Sequence, residues 1–194
     1  GGSFNPPHMG HILATGWALS IQIIQEVWVI PAGGHPFGKE LVPLGDRMEM
    51  CRRAFNCFGP RVSVLDSERG EGVHYSIDTL RKLIEEHPGI LFRWIVGSDT
   101  IGDAPRWKQY DELARLAPPI IIPRLGHSSR TRDEIYTGEH CDDFVLPDLS
   151  STWIRHKINS GESDDLEGLV PATVIHWITE KGLYGRHSSG VGNE

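Results

Sequence analysis

The 194-residue sequence has few cysteines, no long apolar run and no excess of positive charge. Its three cysteines (Cys51, Cys57 and Cys141) show no metal-ligand spacing, which argues against a disulfide framework and a zinc site and favours the reducing cytoplasm. We expect neither a membrane span nor a signal peptide. The net charge of −7 argues against a nucleic-acid partner, although a small phosphate compound can still bind where the surface is locally positive.

The sequence also lacks the G-x-G-x-x-G turn of dinucleotide-binding oxidoreductases and an acidic residue placed to bind a dinucleotide ribose. These absences exclude a Rossmann oxidoreductase. What the chain does have is 39% apolar residues with 22 glycines and 13 prolines. This composition is typical of a globular domain with many tight connections.

Short apolar runs alternate along the chain with segments of helical periodicity. We therefore expect an α/β fold, a single Rossmann-like domain over 1–185 with a parallel sheet and helices on both faces, followed by a flexible tail over 186–194. The predicted helices cover 12–24, 46–55, 76–86, 107–116, 152–158 and 173–181, with Asp46 as the N-cap of the second. The predicted strands cover 27–30, 62–65, 91–96, 119–122 and 144–146. The opening glycine pair should follow a strand, so we expect either a first strand ahead of the given sequence or a helix that starts without one.

The most informative pattern is G-G-S-F-N-P-P-H-M-G-H over residues 1–11. It predicts a tight turn that leads into a helix N-terminus, where unpaired N–H groups and the helix dipole attract phosphate. His8 and His11 add hydrogen-bond donors, and Gly10 lets a phosphate approach the backbone. Taken alone, the H-x-G-H pair fits a solvated surface turn about equally well. Metal ligation is less favoured, because no Cys or His cluster supplies further ligands.

A second pattern, L-S-S-T-W-I-R over 149–155, places hydroxyl groups where a helix should begin. The hydroxyl and N–H groups can hold phosphate oxygens, and Arg155 can extend toward the same anion. Alone, this pattern fits an ordinary N-cap followed by a surface arginine. Together, the two patterns in one α/β chain favour a shared triphosphate site. The turns after the predicted strands are expected to open onto the same crevice.

The two patterns together resemble the paired signatures of the nucleotidyltransferase α/β-phosphodiesterase superfamily. The chain most resembles its bacterial nicotinate-nucleotide adenylyltransferase family, with further similarity at 30–34, 46–48, 74–80, 96–99, 107–108 and 122–124. The resemblance implies transfer of the adenylyl group of ATP to nicotinate mononucleotide, with release of pyrophosphate. It implies Mg2+ carried by the ATP phosphates and no metal site of the protein. The oligomeric state, monomer or homo-oligomer, stays open.

The resemblance also implies roles for individual residues. The implied catalytic residues are His8, His11 and Arg155. The implied ATP-binding residues are Gly2, Ser3, Phe4, Gly10, Lys39, Gly97, Asp99, Arg124, Ser151 and Thr152. The implied acceptor-binding residues are Tyr75, Ser76, Thr79 and Trp107. The chain departs from the family pattern at Ser76, where threonine is common, and in the segment before Lys39.

Several alternatives remain open at this level. The same chemistry could use nicotinamide mononucleotide, phosphopantetheine or an alcohol phosphate with CTP, and a non-catalytic nucleotide-binding protein could keep the same fold. Trp107 could be a partly buried anchor of the core. Asp99 could cap a turn, and Tyr75 could fasten its helix to the sheet.

Overall fold

A computed structural model of the chain describes residues 1–21, 23–34, 41–70, 74–125 and 144–185. Lys39, Cys141 and the predicted tail over 186–194 lie outside the described residues. The helices are α1 (Met9–Ser20), α2 (Leu44–Phe55), α3 (Ser76–Glu86), α4 (Ser98–Ile101), α5 (Tyr110–Leu116), α6 (Ser151–Ser160) and α7 (Ala172–Lys181). The strands are β1 (Val27–Val29), β2 (Val62–Val64), β3 (Trp94–Gly97) and β4 (Pro119–Ile122). Short 3-10 helices cover Asn56–Arg61, Ala104–Arg106 and Ser163–Leu166.

The described strands pair in parallel, which confirms the predicted α/β class. Strand β1 pairs with β2, and β3 pairs with β4. All residues of β4 are buried, as expected for an apolar strand of a parallel sheet that is covered on both faces. Isolated parallel bridges join Gly2 to Pro31 and Arg124 to Leu146. The predicted strand at 144–146 is therefore reduced to a single bridge.

The largest apolar cluster fastens the beginning of the chain to its last helices. It includes Ile12 of α1, Met50 and Cys51 of α2, Ile154 of α6 and Val174 of α7, all buried. A separate cluster packs Trp94 and Trp107 around Val96, Ile101, Tyr110 and Ile121. Burial on this scale fixes α1 and α6 relative to each other, because each buried apolar side chain stabilises the packed state by about 1.5–3 kcal/mol.

Some predicted boundaries are wrong. Helix α2 begins at Leu44 after Pro43, so Asp46 is not the N-cap but lies in the first turn. There its negative charge interacts favourably with the positive end of the helix dipole. Helix α5 begins at Tyr110 rather than at Trp107, because Gln109 adopts a left-handed backbone conformation with φ of 50°. The apolar character of a free thiol also predicts that Cys51 and Cys57 pack as small hydrophobic side chains. Cys51 is buried, whereas Cys57 is exposed.

The helices are short throughout the described ranges. The longest, α1 and α2, have 12 residues each. A membrane-spanning helix needs about 20 apolar residues. No helix in the described ranges is therefore long and apolar enough to cross a membrane.

Candidate active site

The two histidines of the first pattern lie against each other at the start of α1. The ring centroids of His8 and His11 are 3.9 Å apart, and the His8 backbone N–H donates to His11 Nδ1 across 3.2 Å. Since Nδ1 of His11 accepts this hydrogen bond, the proton of its neutral imidazole is on Nε2. His8 Nδ1 is buried and has no hydrogen-bond partner among the described residues. The pair therefore leaves the Nε2–H of His11 as a donor that a bound anion could accept.

Both imidazoles are held in their neutral form. Burial lowers the pKa of His8 to about 4, and the positive charge of Arg124 acts in the same direction. Burial also lowers the pKa of His11 well below its usual value, with His8 and Arg124 adding to the effect. At neutral pH the two rings are therefore uncharged hydrogen-bonding groups. Among the described residues, Arg124 and Arg155 bring positive charge to this turn.

Local packing explains the small and aromatic residues of the turn. A Cβ at Gly10 would lie 3.0 Å from Nδ1 and Cε1 of His8, so a larger residue would push the imidazole away from the helix start. The Phe4 ring lies 4.9 Å from the His11 ring and 6.1 Å from the ring of Phe55. The turn is thus anchored in the core by Phe4, and the absence of a side chain at Gly10 leaves room for His8.

The start of α6 contacts this turn directly. Ser151 Oγ donates to the backbone oxygen of Pro6 across 2.8 Å. Arg155 Nη1 donates to the backbone oxygen of Asn5, also across 2.8 Å, and its Nη2 donates to Thr152 Oγ1 across 3.3 Å. The structure therefore brings together the two sequence patterns that were predicted to share a ligand.

Arg124 joins the end of β3 to the segment before α6. Its Nη1 lies 2.6 Å from Asp99 Oδ2, and its Nη2 donates to the Leu149 backbone oxygen across 2.5 Å. Asp99 folds back over Gly97, where a Cβ would lie only 2.3 Å from Asp99 Oδ1. One unit is therefore formed by Gly97, Asp99 and Arg124. It lies beside the turn over residues 1–11, which we call the histidine turn.

The predicted acceptor residues group around the start of α3. Tyr75 is the N-cap residue and is 41% exposed, and Lys108 Nζ lies 4.6 Å from the centre of its ring. Ser76 follows as the exposed first residue of α3. The Trp107 ring packs against that of Trp94 with centroids 4.8 Å apart, so it serves as a partly buried anchor of the core. Lys108, which follows Trp107, thus joins that segment to the start of α3 through the Tyr75 ring and through Asp78, to which its Nζ donates across 2.8 Å.

The fourth predicted acceptor residue, Thr79, has its hydroxyl engaged within the protein. Its Oγ1 donates to Glu68 Oε1 across 3.0 Å, and Glu68 Oε2 accepts from the Gly33 N–H across 3.2 Å. The Thr79 hydroxyl therefore stabilises the region around the acceptor residues from inside.

Sequence reasoning missed several residues that shape the turn. Asn5 is 2% exposed, and its Oδ1 accepts from the Tyr184 hydroxyl across 2.8 Å and from the Val42 N–H across 3.3 Å. Arg47 is 1% exposed and donates to the Ser3 backbone oxygen across 3.0 Å. An arginine on the apolar face of α2 was the available signal for Arg47. Tyr184 gave no such signal, because its partner lies 179 positions away.

The described residues contain no group of three or more His, Cys, Asp or Glu side chains that could hold a metal ion. Side chains of the described ranges thus offer no cage for a resident metal. The basic and hydroxyl groups around the turn are suited to a phosphate instead.

Comparison with known proteins agrees with this arrangement. Residues 1–157 match the family model described as cytidylyltransferase-like. A protein of Anaeromyxobacter sp. (strain K) named "probable nicotinate-nucleotide adenylyltransferase" is 40% identical over 187 residues, covering 95% of this chain and 94% of its own length. A protein of the same name from Myxococcus xanthus (strain DK1622) is 35% identical over 187 residues, covering 95% of this chain and 92% of its own.

Among solved structures, the nicotinic acid mononucleotide adenylyltransferase of Plasmodium falciparum complexed with NaAD superposes with a TM-score of 0.78. The match covers 94% of each chain at 21% sequence identity, which shows a common fold. The sequence matches carry the family assignment: the chain belongs to the cytidylyltransferase-like family of nucleotidyltransferases and, within it, to the nicotinate-nucleotide adenylyltransferases.

Proposed function

We propose that this protein transfers the adenylyl group of ATP to nicotinate mononucleotide, giving nicotinate adenine dinucleotide and pyrophosphate in NAD biosynthesis. The observation that carries the proposal is the contact between the histidine turn and the start of α6, through Ser151 with Pro6 and Arg155 with Asn5. The names of the relatives at 35–40% identity support nicotinate mononucleotide as the acceptor.

In this reaction a phosphate oxygen of the acceptor attacks the α-phosphorus of ATP in line with the departing pyrophosphate. The nucleophile is already an anion, so no general base is required. Catalysis then depends on alignment and on stabilisation of the charge that develops on the transferred phosphate. Neutral His11 can supply its Nε2–H to that phosphate, and His8 lies beside it.

The remaining roles follow from position in the fold. Ser151, Thr152 and Arg155, at the start of α6, would hold the outgoing pyrophosphate, since a helix N-terminus and a guanidinium both favour phosphate. The turn under the triphosphate would be shaped by Gly2, Ser3, Phe4 and Gly10. The ATP nucleoside would be bordered by Gly97, Asp99 and Arg124. Tyr75, Ser76 and Trp107 would border the pyridine mononucleotide, with Thr79 supporting them.

The metal belongs to the substrate in this scheme. Mg2+ binds phosphate oxygens and water in preference to an all-protein cage, so ATP would arrive as its magnesium complex. We place the reaction in the cytoplasm, because Cys51 and Cys57 are free thiols, which suits a reducing compartment. We further propose that residues 1–185 form the catalytic domain.

A screen of acceptors with ATP and magnesium, read out as pyrophosphate release, tests the proposal. We expect the highest kcat/KM with nicotinate mononucleotide, a lower value with nicotinamide mononucleotide, and no release with phosphopantetheine or when CTP replaces ATP. An Arg155→Ala variant provides the background rate. Preference for another acceptor, or tight ATP binding with no pyrophosphate from any acceptor, would overturn the assignment.

A further inference from the structure

We propose that Glu68 is a positioning residue for the acceptor side of the active site. It holds the loop after β1 against the first turn of α3, where the proposed acceptor residues lie. This inference rests on the proposed adenylyl transfer and assigns to that reaction a residue outside both sequence patterns.

Glu68 is buried and uses both carboxylate oxygens. It is 7% exposed, and it is the only buried acidic side chain among the described residues. Oε2 accepts from the Gly33 N–H and Oε1 from the Thr79 hydroxyl. A buried carboxylate is costly unless it is hydrogen-bonded, so these two contacts determine where the side chain can lie. Glu68 thereby ties Gly33 to Thr79.

The backbone of Glu68 holds the same loop. A Cβ at Gly33 would lie 2.0 Å from the Glu68 backbone oxygen and 2.8 Å from His74 Cδ2. Only a residue without a side chain fits between them. The loop is therefore fixed from one side by the Glu68 backbone and the His74 ring, and through its N–H by the Glu68 carboxylate.

The Glu68 carboxylate, through Gly33 and Thr79, links the two halves of the proposed site. The loop after β1 pairs with the histidine turn through two hydrogen bonds. The Gly2 N–H donates to the Ile30 oxygen across 3.2 Å, and the Ala32 N–H donates to the Gly2 oxygen across 2.8 Å. On the other side, the Thr79 N–H donates to the Tyr75 oxygen across 3.1 Å in the first turn of α3. Glu68 thus connects the turn assigned to ATP with the helix start assigned to the acceptor, and in-line attack depends on that alignment.

Four single variants and one double variant test this role. The single variants are Glu68→Ala, Glu68→Gln, Thr79→Val and Thr179→Val, and the double variant combines Glu68→Ala with Thr79→Val. Glutamine can still accept from Gly33 and can donate to the Thr79 hydroxyl, so it replaces the carboxylate contacts without the charge. Thr79→Val removes the hydroxyl and keeps the branched shape. Thr179, whose hydroxyl donates to Ile175 on α7, provides a matched hydroxyl deletion away from the site.

We expect Glu68→Ala and Thr79→Val each to raise KM for nicotinate mononucleotide by about tenfold or more while KM for ATP changes less than about twofold. Glu68→Gln should restore most of the wild-type KM for nicotinate mononucleotide, and Thr179→Val should behave as the wild type. The Glu68→Ala/Thr79→Val double variant should have a KM only slightly above that of the more affected single variant, because both changes remove the same contact. Thermal unfolding confirms that each variant is folded.

Equal changes in both KM values, additive effects in the double variant, or a loss in Glu68→Gln equal to that in Glu68→Ala would overturn the role. A rise in acceptor KM for Thr79→Val with none for Glu68→Ala would instead assign Thr79 to direct contact. Failure of the wild type to use nicotinate mononucleotide would reject the proposed function, and the same comparison with the acceptor that it does use would then test Glu68.

Discussion

The guanidinium of Arg155 donates to the backbone oxygen of Asn5 across 2.8 Å, although the two residues are 150 positions apart in the chain. Asn5 is held at the same time by Val42 and Tyr184 through its side chain. Because Asn5 lies between Phe4 and the histidine pair, this hydrogen bond fixes the start of α6 on the histidine turn. Arg155 can therefore orient the turn and present its remaining donors to a phosphate.

Replacing Arg155 by lysine should separate charge from geometry. A lysine keeps the positive charge but lacks the planar fork, so it cannot hold Asn5 and a phosphate oxygen together in fixed directions. We expect Arg155→Lys to lower kcat by about 100-fold, the equivalent of about 2.7 kcal/mol. Arg53→Lys is the control, because Arg53 forms an ion pair with Glu49 one turn away on α2. Unchanged pyrophosphate release in Arg155→Lys would contradict the role of the fork.

Removal of the His11 side chain should affect turnover more than nucleotide binding. In the proposed reaction its Nε2–H would donate to the reacting phosphate, and loss of one such donor costs about 2–4 kcal/mol of transition-state stabilisation. His11→Ala should therefore lower kcat by about 30- to 1,000-fold with a smaller change in ATP affinity. His156→Ala, at an exposed position on α6, is the control. An equal loss of ATP affinity and turnover would assign His11 to ground-state binding.

The sequence correctly predicted the elements whose pattern lies within one continuous segment of the chain. Helix α3 begins and ends where its periodicity and the following Pro88-Gly89 indicate, and its apolar residues Ile77, Leu80 and Leu83 are buried. Strand β4 likewise coincides with its apolar run. The start of α5 was wrong because the left-handed Gln109 has no clear signature in the sequence.

The sequence predicted that the two patterns of the candidate site lie together, but it did not predict their individual contacts. The phosphate-binding patterns indicated that His8, His11, Ser151 and Arg155 belong together, because helix N-termini and hydroxyl groups have a known affinity for anions. They did not indicate that the Thr79 hydroxyl is engaged by Glu68. Such contacts depend on how the loops pack in three dimensions, and a single sequence contains no record of that packing.

Gly97 offers a test of the Asp99–Arg124 unit. A Cβ at position 97 would lie 2.3 Å from Asp99 Oδ1, so Gly97→Ala should displace the carboxylate from Arg124. We expect KM for ATP to rise by about tenfold, equivalent to about 1.4 kcal/mol, with a smaller effect on KM for the acceptor. Gly102→Ala is the matched control, because nothing lies within 4 Å of a Cβ there. Similar KM values for ATP in the two variants would reject the role of the unit.

The neutral state of His8 predicts that the protein loses stability in mild acid. The pKa of His8 is lowered to about 4 in the folded protein, against about 6.5 in an unfolded chain. Between these values the unfolded chain binds more protons, so the free energy of unfolding should fall as the pH is lowered from about 6.5 to 4, by about 3 kcal/mol from His8. The lowered pKa of His11 acts in the same direction.

Urea unfolding of the wild type and of His8→Gln across that pH range measures the contribution. The variant lacks the titrating group, so its free energy of unfolding should fall less steeply with acid even if it is less stable at neutral pH. His176→Gln, which replaces an exposed imidazole on α7, is the comparison variant. Parallel curves for the wild type and His8→Gln would mean that His8 does not titrate differently on folding. The imidazole would then be accessible to protons in the folded protein, and its assignment as a neutral group at the phosphate would fail.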